Sequence, residues 1–232
     1  MVSFLCLARN EYILKTNTMS MEQNNIFHSF IWKTKLDYKE KNKLIKKIEH
    51  NYFENPDKTP KKWKCKVHSS YEDRNLSLDT IPLDLIYLIE NKVNAFLDAY
   101  FRTNEIIGNY FIAEYWYNAY KGFQFQEPHE HGDSLFSGCY YLKFNKDKHC
   151  QTTFYNPNFR IEFDKLKNNP YFCYTPECEE DDLIIFPSAL MHSTEGIIDK
   201  NECEELRITI SFNIINDHVY NTNRSKNNLN YH

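Results

Sequence analysis

The pattern of apolar and polar positions divides the chain into a helical part and a strand-rich part. Apolar residues recur at helical spacing from about Lys35 to Tyr52, and lysines fill the opposite face. A second helix is predicted to follow Asp79 and Thr80, which can cap it, with Pro82 in its first turn and an apolar stripe that extends to Tyr100. Two such helices predict a layer that packs on a sheet.

From about Asn109 onward, short apolar or alternating runs recur between turn signals. The predicted strands are Tyr110 to Tyr120, Ser137 to Asn145, Gln151 to Tyr155, Leu183 to Phe186 and Leu206 to Ile215. Because no helical segments separate them, they favour an antiparallel sandwich or barrel over a βαβ fold. We therefore predict a mainly β protein with N-terminal helices. Residues 1–108 form the helical buttress, 109–220 a jelly-roll core in the same domain, and 221–232 a frayed tail.

Composition narrows the class of protein. Hydrophobic residues make up 41% of the 232 positions and aromatic residues 16%, which argues against intrinsic disorder. A formal charge of -4 gives no electrostatic reason to expect nucleic-acid binding. The seven cysteines include no C-x-x-C pair, so we expect reduced thiols and a cytoplasmic location. No stretch reaches the roughly 18 uncharged residues of a membrane helix, and the N-terminus lacks the pattern of a secretory signal.

One basic run stands apart from this acidic background. Residues 58–66 read Lys-Thr-Pro-Lys-Lys-Trp-Lys-Cys-Lys, which is turn-like. The run is either a contact for a phosphate or an acidic substrate, or a solvated surface loop, as charge runs usually are.

The segment Pro128–Ser134 carries the densest set of metal-binding side chains. Side chains on an extended segment alternate between faces, so His129, His131 and Asp133 are predicted to point to the same side. Imidazole and carboxylate together suit Fe, Zn or Mn. The alternative is a polar strand end with solvated histidines.

Two later segments contain further candidate functional residues. An apolar strand ends at Pro187 and a short loop leads to His192, which is either a further ligand or a structural histidine. The run that begins at Arg207 alternates, with Ile208, Ile210, Phe212 and Ile214 on one face and Arg207, Thr209, Ser211 and Asn213 on the other. If the polar face lines a barrel, Arg207 can bind a carboxylate bidentately; otherwise the strand lies at the surface.

The order of these motifs resembles the 2-oxoglutarate/Fe(II) oxygenase superfamily, and most of all the small hydroxylases of marine bacteria and their phages. The resemblance covers roughly Tyr110 to Ile215. Trp116, Asn118 and Gly122 fit the approach strand of that family, and F-P-S-x-x-x-H and R-x-T-x-S-F-N follow downstream. The signature P-H-x-H-x-x-S-x-x-S-G-x-Y-Y is matched by Pro128, His129, His131, Ser134, Ser137, Gly138, Tyr140 and Tyr141.

The resemblance implies a double-stranded β-helix that holds Fe(II) at one mouth. His129 falls on the first histidine of the usual H-x-[DE]…H triad, His131 on the carboxylate position and His192 on the distal histidine. A third imidazole in place of a carboxylate is a departure from the superfamily. His131-Gly132-Asp133 is itself an H-x-D, so the alternative ligand set is His131, Asp133 and His192.

The resemblance also suggests residues that bind the co-substrate. Arg207 follows His192 by fifteen positions, which suits a return on the adjacent antiparallel strand. Arg207 would pair with the distal carboxylate of 2-oxoglutarate, with Thr209 donating a hydrogen bond. Tyr140 is a second candidate, because the apolar parity of its strand predicts that it faces inward, although it could equally be a core aromatic. Glu180-Asp181-Asp182 stands where relatives usually carry a glycine.

The expected activity is an oxygenase reaction that uses Fe(II), 2-oxoglutarate and O2, supported by ascorbate, with hydroxylation as the outcome. The substrate, a small molecule or a protein side chain, is left open, because substrate choice lies in loops such as Asn156 to Thr175. One alternative is a non-catalytic jelly roll whose three histidines hold Zn or Ni and which binds a partner or ligand. Another is a nucleic-acid demethylase, although the sequence pI of about 6.1 argues against it.

Overall fold

The computed structural model describes residues 29–101, 110–122, 124–157, 172–196 and 204–216. The helices are α1 (Lys41–Glu54), α2 (Arg74–Thr80) and α3 (Leu83–Phe101). The strands are β1 (Trp32–Lys35), β2 (His68–Ser69), β3 (Tyr110–Tyr120), β4 (Gln126–His129), β5 (Phe136–Lys143), β6 (Thr152–Tyr155), β7 (Cys173–Tyr174), β8 (Asp182–Pro187), β9 (His192–Thr194) and β10 (Arg207–Asn216).

The strands form two antiparallel sheets. The larger sheet has the order β1-β8-β5-β10-β3-β2, and the smaller has the order β4-β9-β6-β7. Apolar side chains from both sheets pack together between them, with Phe154 of the smaller sheet against Tyr141 and Phe186 of the larger. This arrangement confirms the predicted jelly roll, a sandwich of antiparallel sheets.

Strand β10 lies at the centre of the larger sheet, between β5 and β3, and its two faces have opposite characters. Ile208, Ile210, Phe212 and Ile214 of β10 are fully buried against the helical layer, in a cluster that includes Leu44 and Ile48 of α1 and Leu85 and Ile89 of α3. Burying each such side chain contributes about 1.5–3 kcal/mol. The polar residues of β10 therefore face the interior between the two sheets.

The helical layer differs from the sequence prediction at its boundaries. The predicted helix from Lys35 to Tyr52 was wrong at its start, because residues 32–35 pair with β8 as strand β1 and the helix begins at Lys41. The cap predicted at Asp79 and Thr80 was also wrong, since both residues lie inside α2. The side chain of Asp73 caps α2 by accepting a hydrogen bond from the backbone N–H of Leu76 at 3.0 Å.

The five predicted strands correspond to β3, β5, β6, β8 and β10, with ends that differ by at most two residues. The predicted boundary at residue 108, the tail from 221 and most of the loop from Asn156 to Thr175 lie outside the described residues. The five described cysteines carry free thiols: Cys65, Cys139, Cys150, Cys173 and Cys178. Among the described helices, none has the length and apolar character needed to cross a membrane.

Gly138 lets β5 approach the core of the helical layer. A Cβ atom at this position would lie 2.1 Å from Cζ of Phe212 and 2.8 Å from the carbonyl oxygen of Ile184. Phe212 is itself fully buried, so its ring has no free space into which it can turn. The glycine of the S-G-x-Y-Y signature thus has a packing role in this fold.

We predict that Gly138→Ala lowers the free energy of unfolding by at least about 1–3 kcal/mol, the usual cost of overpacking a core. Chemical denaturation followed by circular dichroism measures this loss. Adding Phe212→Leu should recover part of the stability by removing the atom that the new methyl group meets. A Gly138→Ala variant as stable as the wild type would contradict the packing role.

Candidate metal and co-substrate site

Three histidines converge at one end of the sandwich. His129 is the last residue of β4 and His192 the first of β9, and the two are direct partners in the antiparallel register. His131 lies two residues beyond β4, where its backbone N–H donates to the carbonyl of Ser188 at 2.9 Å. One ligand atom from each imidazole lies within 4.8 Å of the others. This cluster meets the spatial requirement for a metal ion held by three imidazoles.

The hydrogen bonds of the three rings fix which nitrogen of each imidazole carries the proton and which is free to bind a metal. In every ring Nδ1 contacts an oxygen acceptor: the carbonyl of Glu127 for His129 at 2.8 Å, the carbonyl of Leu190 for His192 at 2.9 Å, and Oδ1 of Asn213 for His131 at 2.6 Å. Each Nδ1 therefore carries the proton and each Nε2 keeps its lone pair. The Nε2 atoms of His131 and His192 lie 3.2 Å apart with no proton between them, a repulsion that a cation would relieve.

Burial keeps these rings neutral. Desolvation lowers the pKa of His129, lowers that of His131 to about 4 and lowers that of His192 well below the ordinary histidine value. Neutral imidazole is the form that binds metals, so the residues present fit a divalent cation. Asp133 lies exposed in the turn after His131 and is not part of the cluster, so the structure does not support the alternative set of His131, Asp133 and His192.

His131 alone among the three depends on a side chain for its Nδ1 acceptor. Oδ1 of Asn213 also accepts from Ser137 Oγ at 2.8 Å, and Nδ2 of Asn213 donates to a carboxylate oxygen of Glu114 at 3.2 Å. The β3–β10 register shifts between Asn213 and Ile214, so an irregularity of the sheet lies beside this contact. Glu114 thereby orients the amide so that its oxygen faces the histidine.

Arg207 lies in the same interior as the histidines, at the other end of β10 from Asn213. Its side chain is buried, with 3% of the residue exposed, and its guanidinium lies 4.7 Å from the ring centroid of Tyr120 and 5.4 Å from that of Tyr141. Nη2 donates to Oγ1 of Thr152 at 3.3 Å, and Nε has no acceptor within the described chain. No described carboxylate forms an ion pair with it. A buried cation without an anion is costly, so the site is built for an anionic ligand.

Other unpaired polar atoms line the same interior. Nε1 of Trp116 and Oδ1 of Asn118 are buried without a hydrogen-bond partner in the described residues, and both belong to β3, next to β10. The ring of Trp116 lies 5.7 Å from that of His131. Thr209 lies on the polar face of β10 with Arg207, although the hydroxyl that contacts the guanidinium is that of Thr152. A polar ligand between the histidines and Arg207 would meet these groups.

Two predicted placements were wrong. Tyr140 lies in the helix-facing cluster and donates to Oδ1 of Asp181 at 2.9 Å, whereas its neighbour Tyr141 faces Arg207. The reason is that the apolar side of β5 packs on the helices, not between the sheets. Arg207 is not on the strand adjacent to His192, because β9 belongs to the smaller sheet and β10 to the larger. The two residues approach the interior from opposite layers.

Sequence reasoning missed Tyr120, Tyr141, Thr152 and the contact made by Asn213. Asn213 was already on the predicted polar face of β10, so it could have been proposed. Asp181 explains the departure from the family's glycine: its φ of 69° is in the left-handed region that glycine favours and aspartate tolerates. Its carboxylate accepts hydrogen bonds from Tyr140 and from Lys41 at 2.7 Å, away from the histidines.

Comparison with known proteins agrees with this site. Residues 114–213, which include all three histidines and Arg207, match the family model described as "Putative 2OG-Fe(II) oxygenase". HygX from Streptomyces hygroscopicus, solved with nickel and 2-oxoglutarate bound, is similar in structure with a TM-score of 0.54 and 10% identity over 81% of this chain and 83% of that one. The viral collagen prolyl hydroxylase of Paramecium Bursaria Chlorella virus-1 gives a TM-score of 0.49 and 16% identity over 79% and 94%. A search of curated proteins found no match.

The structural likeness to HygX supports the fold alone, and the family match over residues 114–213 supports the class of enzyme. Residues 114–213 match the 2OG-Fe(II) oxygenase family, and this match supports a 2-oxoglutarate-dependent dioxygenase activity. The matched family implies Fe(II), 2-oxoglutarate and O2 as cofactors.

We predict that Asn213→Ala weakens metal binding about 10- to 100-fold, the usual effect of removing the partner of a metal-binding histidine. The Nδ1 proton of His131 would lose its acceptor, so the ring would no longer be held with Nε2 toward the metal. Titration of the apo-protein with Co(II), followed by its visible spectrum, measures the affinity. Asn213→Asp keeps an acceptor and should bind Co(II) better than the alanine variant. Asn75→Ala, at an exposed position of α2, is the matched control. Equal affinities for all four proteins would contradict the positioning role of Asn213.

Proposed function

We propose that this oxygenase is a hydroxylase whose Fe(II) is held by His129, His131 and His192. The bound metal and co-substrate supply the oxidising chemistry, in which decarboxylation of 2-oxoglutarate to succinate is coupled to oxidation of a substrate C–H bond. Support for the ligand set comes from the three Nδ1 contacts, which leave each Nε2 available to one cation. The free thiols and the sequence features support a cytoplasmic location.

Arg207 binds the distal carboxylate of 2-oxoglutarate in this proposal. The planar guanidinium offers paired donors to a carboxylate, and its unpartnered Nε supplies one of them. Tyr120 and Tyr141 exclude water around the ion pair, and Thr152 holds one edge of the guanidinium. Thr209 and the unpaired atoms of Trp116 and Asn118 would contact the rest of the co-substrate or ordered water.

The observation that carries the proposal is the buried, unpaired cation of Arg207 in the same interior as three neutral imidazoles. A jelly roll that only stores Zn or Ni has no need of a guanidinium there, because its desolvation would be an uncompensated cost. An enzyme that oxidises a substrate beside the metal, either a small molecule or a protein side chain, requires both the histidines that hold the metal and the arginine that binds the co-substrate.

Reconstitution of activity tests the proposal directly. Purified apo-protein is mixed with Fe(II), ascorbate and 2-oxoglutarate, and succinate is measured without added substrate. We expect succinate to form with Fe(II), and Zn to occupy the site and inhibit. If Fe(II) gives no succinate while Zn binding raises the melting temperature, the metal-stabilised binding module replaces the oxygenase.

We predict that Arg207→Ala abolishes 2-oxoglutarate turnover while the metal remains bound. Loss of one partner of a buried, hydrogen-bonded charge pair costs about 2–5 kcal/mol, or roughly 30-fold to several thousand-fold in affinity. Isothermal titration of 2-oxoglutarate into the metal-loaded protein measures this change. Arg74→Ala, which removes an exposed arginine, is the control and should titrate like the wild type. Unchanged succinate production by Arg207→Ala would exclude the role of this residue as the carboxylate clamp.

A further inference from the structure

The basic run of residues 58–66 lies beside the candidate metal site. The backbone N–H of Lys64 donates to Oε1 of Glu127 at 2.9 Å, and Glu127 is two residues before His129. Cys65 is buried next to the same carboxylate, which contributes to the raised pKa of its thiol after desolvation, the larger cause. The segment thus contacts the edge strand β4 through the backbone of Lys64 and the side chain of Cys65, while its exposed lysine side chains are directed to solvent.

A continuous line of aromatic rings connects this run to the histidines. Trp63 stacks on Tyr71 with ring centroids 5.6 Å apart, and Tyr71 meets the ring of Trp116 edge-on at 4.8 Å. Trp116 in turn lies 5.7 Å from His131. Tyr71 is 43% exposed and Trp63 is partly exposed, so the line runs from the surface to the metal site. We call Trp63, Tyr71 and Trp116 the aromatic wall.

Residues 58–66 concentrate positive charge at the surface end of the aromatic wall. Residues 58–66 contain five lysines and no acidic residue, in a chain with a net charge of -4. Of these five lysines, only Lys58 forms an ion pair within the described residues, with Asp73 at 2.7 Å. The nearby carboxylates of Glu72 and Glu127 accept hydrogen bonds from the backbone of the run instead. The exposed side chains without an ion pair are those of Lys61, Lys62, Lys64 and Lys66.

We propose that the aromatic wall and these four lysines form the substrate-binding surface, and that the substrate is an acidic segment of a polypeptide. This inference rests on the proposed hydroxylase function and assigns its substrate class. An apolar or ring-bearing side chain of the substrate packs on Trp63 and Tyr71, while acidic residues on either side pair with the lysines. The residue to be oxidised then lies beside the histidines.

A peptide fits this surface better than a nucleic acid does. Trp63 and Tyr71 stack on each other, so a nucleic-acid base cannot insert between the two rings. The protein as a whole, with a sequence pI of about 6.1, lacks the basic footprint typical of nucleic-acid binding.

Fluorescence anisotropy with two labelled probes tests the proposal. One probe is a twelve-residue peptide in which glutamates flank a central Pro-Tyr, and the second has lysines in place of the glutamates. We expect the metal-loaded protein to bind the acidic peptide, less tightly as salt rises, and not the basic one. Lys61→Glu/Lys62→Glu should weaken binding about ten-fold or more, because two attractions become repulsions. Trp63→Ala should weaken it about five-fold through lost packing.

The matched control is Lys43→Glu/Lys46→Glu, which makes the same change of charge on the exposed face of α1. Because α1 packs on the outer side of the larger sheet, this control should bind the acidic peptide within about two-fold of the wild type. Equal losses in both charge-reversal variants would overturn the proposal, as would binding of the two peptides with equal affinity. A single-stranded oligonucleotide that binds more tightly than the peptide, and is lost in Lys61→Glu/Lys62→Glu, would assign the surface to nucleic acid instead. Succinate formation by the wild type without peptide is measured in parallel, so that failure of the proposed function is seen separately.

Discussion

The site depends on one strand that is apolar on one face and polar on the other. Strand β10 lies at the centre of the larger sheet, where Ile208, Ile210, Phe212 and Ile214 anchor it to the helical layer. Burial of that face holds the strand in register, because a slip by one residue would move Arg207 and Asn213 into the apolar layer. The same register therefore places the guanidinium at one end of the interior and the partner of His131 at the other.

The electrostatics of the interior follow from this arrangement. Three neutral imidazoles bring no negative charge to a metal, whereas the superfamily's usual triad brings one carboxylate. Two described carboxylates influence the histidines: that of Glu114, which reaches His131 through the amide of Asn213, and that of Glu127, whose charge acts on His129. The anionic co-substrate would then be the main source of negative charge near both the metal and Arg207, so binding of the two should be strongly coupled.

The strand pattern and the family motifs were sufficient to predict the jelly roll, because alternation along β3, β5 and β10 reflects burial on one or both faces. They were not sufficient to orient Tyr140. Tyr140 and Leu142 do share a face, but that face packs on the helices, and a register shift opposite Ile208 and Thr209 puts Phe144 on the other side. Which apolar layer a strand faces is a tertiary property that parity alone does not specify.

Contacts between segments that are distant in the chain could not be predicted from the sequence either. Nothing in the run around Trp63 indicates that it lies beside Glu127, or that Trp63 and Trp116 both contact Tyr71. The crossing of the chain between His192 and Arg207 from one sheet to the other depends on the closure of the sandwich, not on the number of intervening residues. The candidate ligands could be named from local motifs, but their partners could not.

Everything proposed for this protein depends on the three histidines and Arg207 forming one site for Fe(II) and 2-oxoglutarate. An anaerobic titration tests this shared site most directly: 2-oxoglutarate is added to the Fe(II)-loaded protein, and the visible absorption of the iron–2-oxoglutarate complex is recorded. We expect a saturable band in the wild type, no band in His131→Ala, and a band only at far higher 2-oxoglutarate concentration in Arg207→Ala. A wild-type protein that binds Fe(II) but develops no band, or an Arg207→Ala variant that saturates at the same concentration as the wild type, would contradict this shared site.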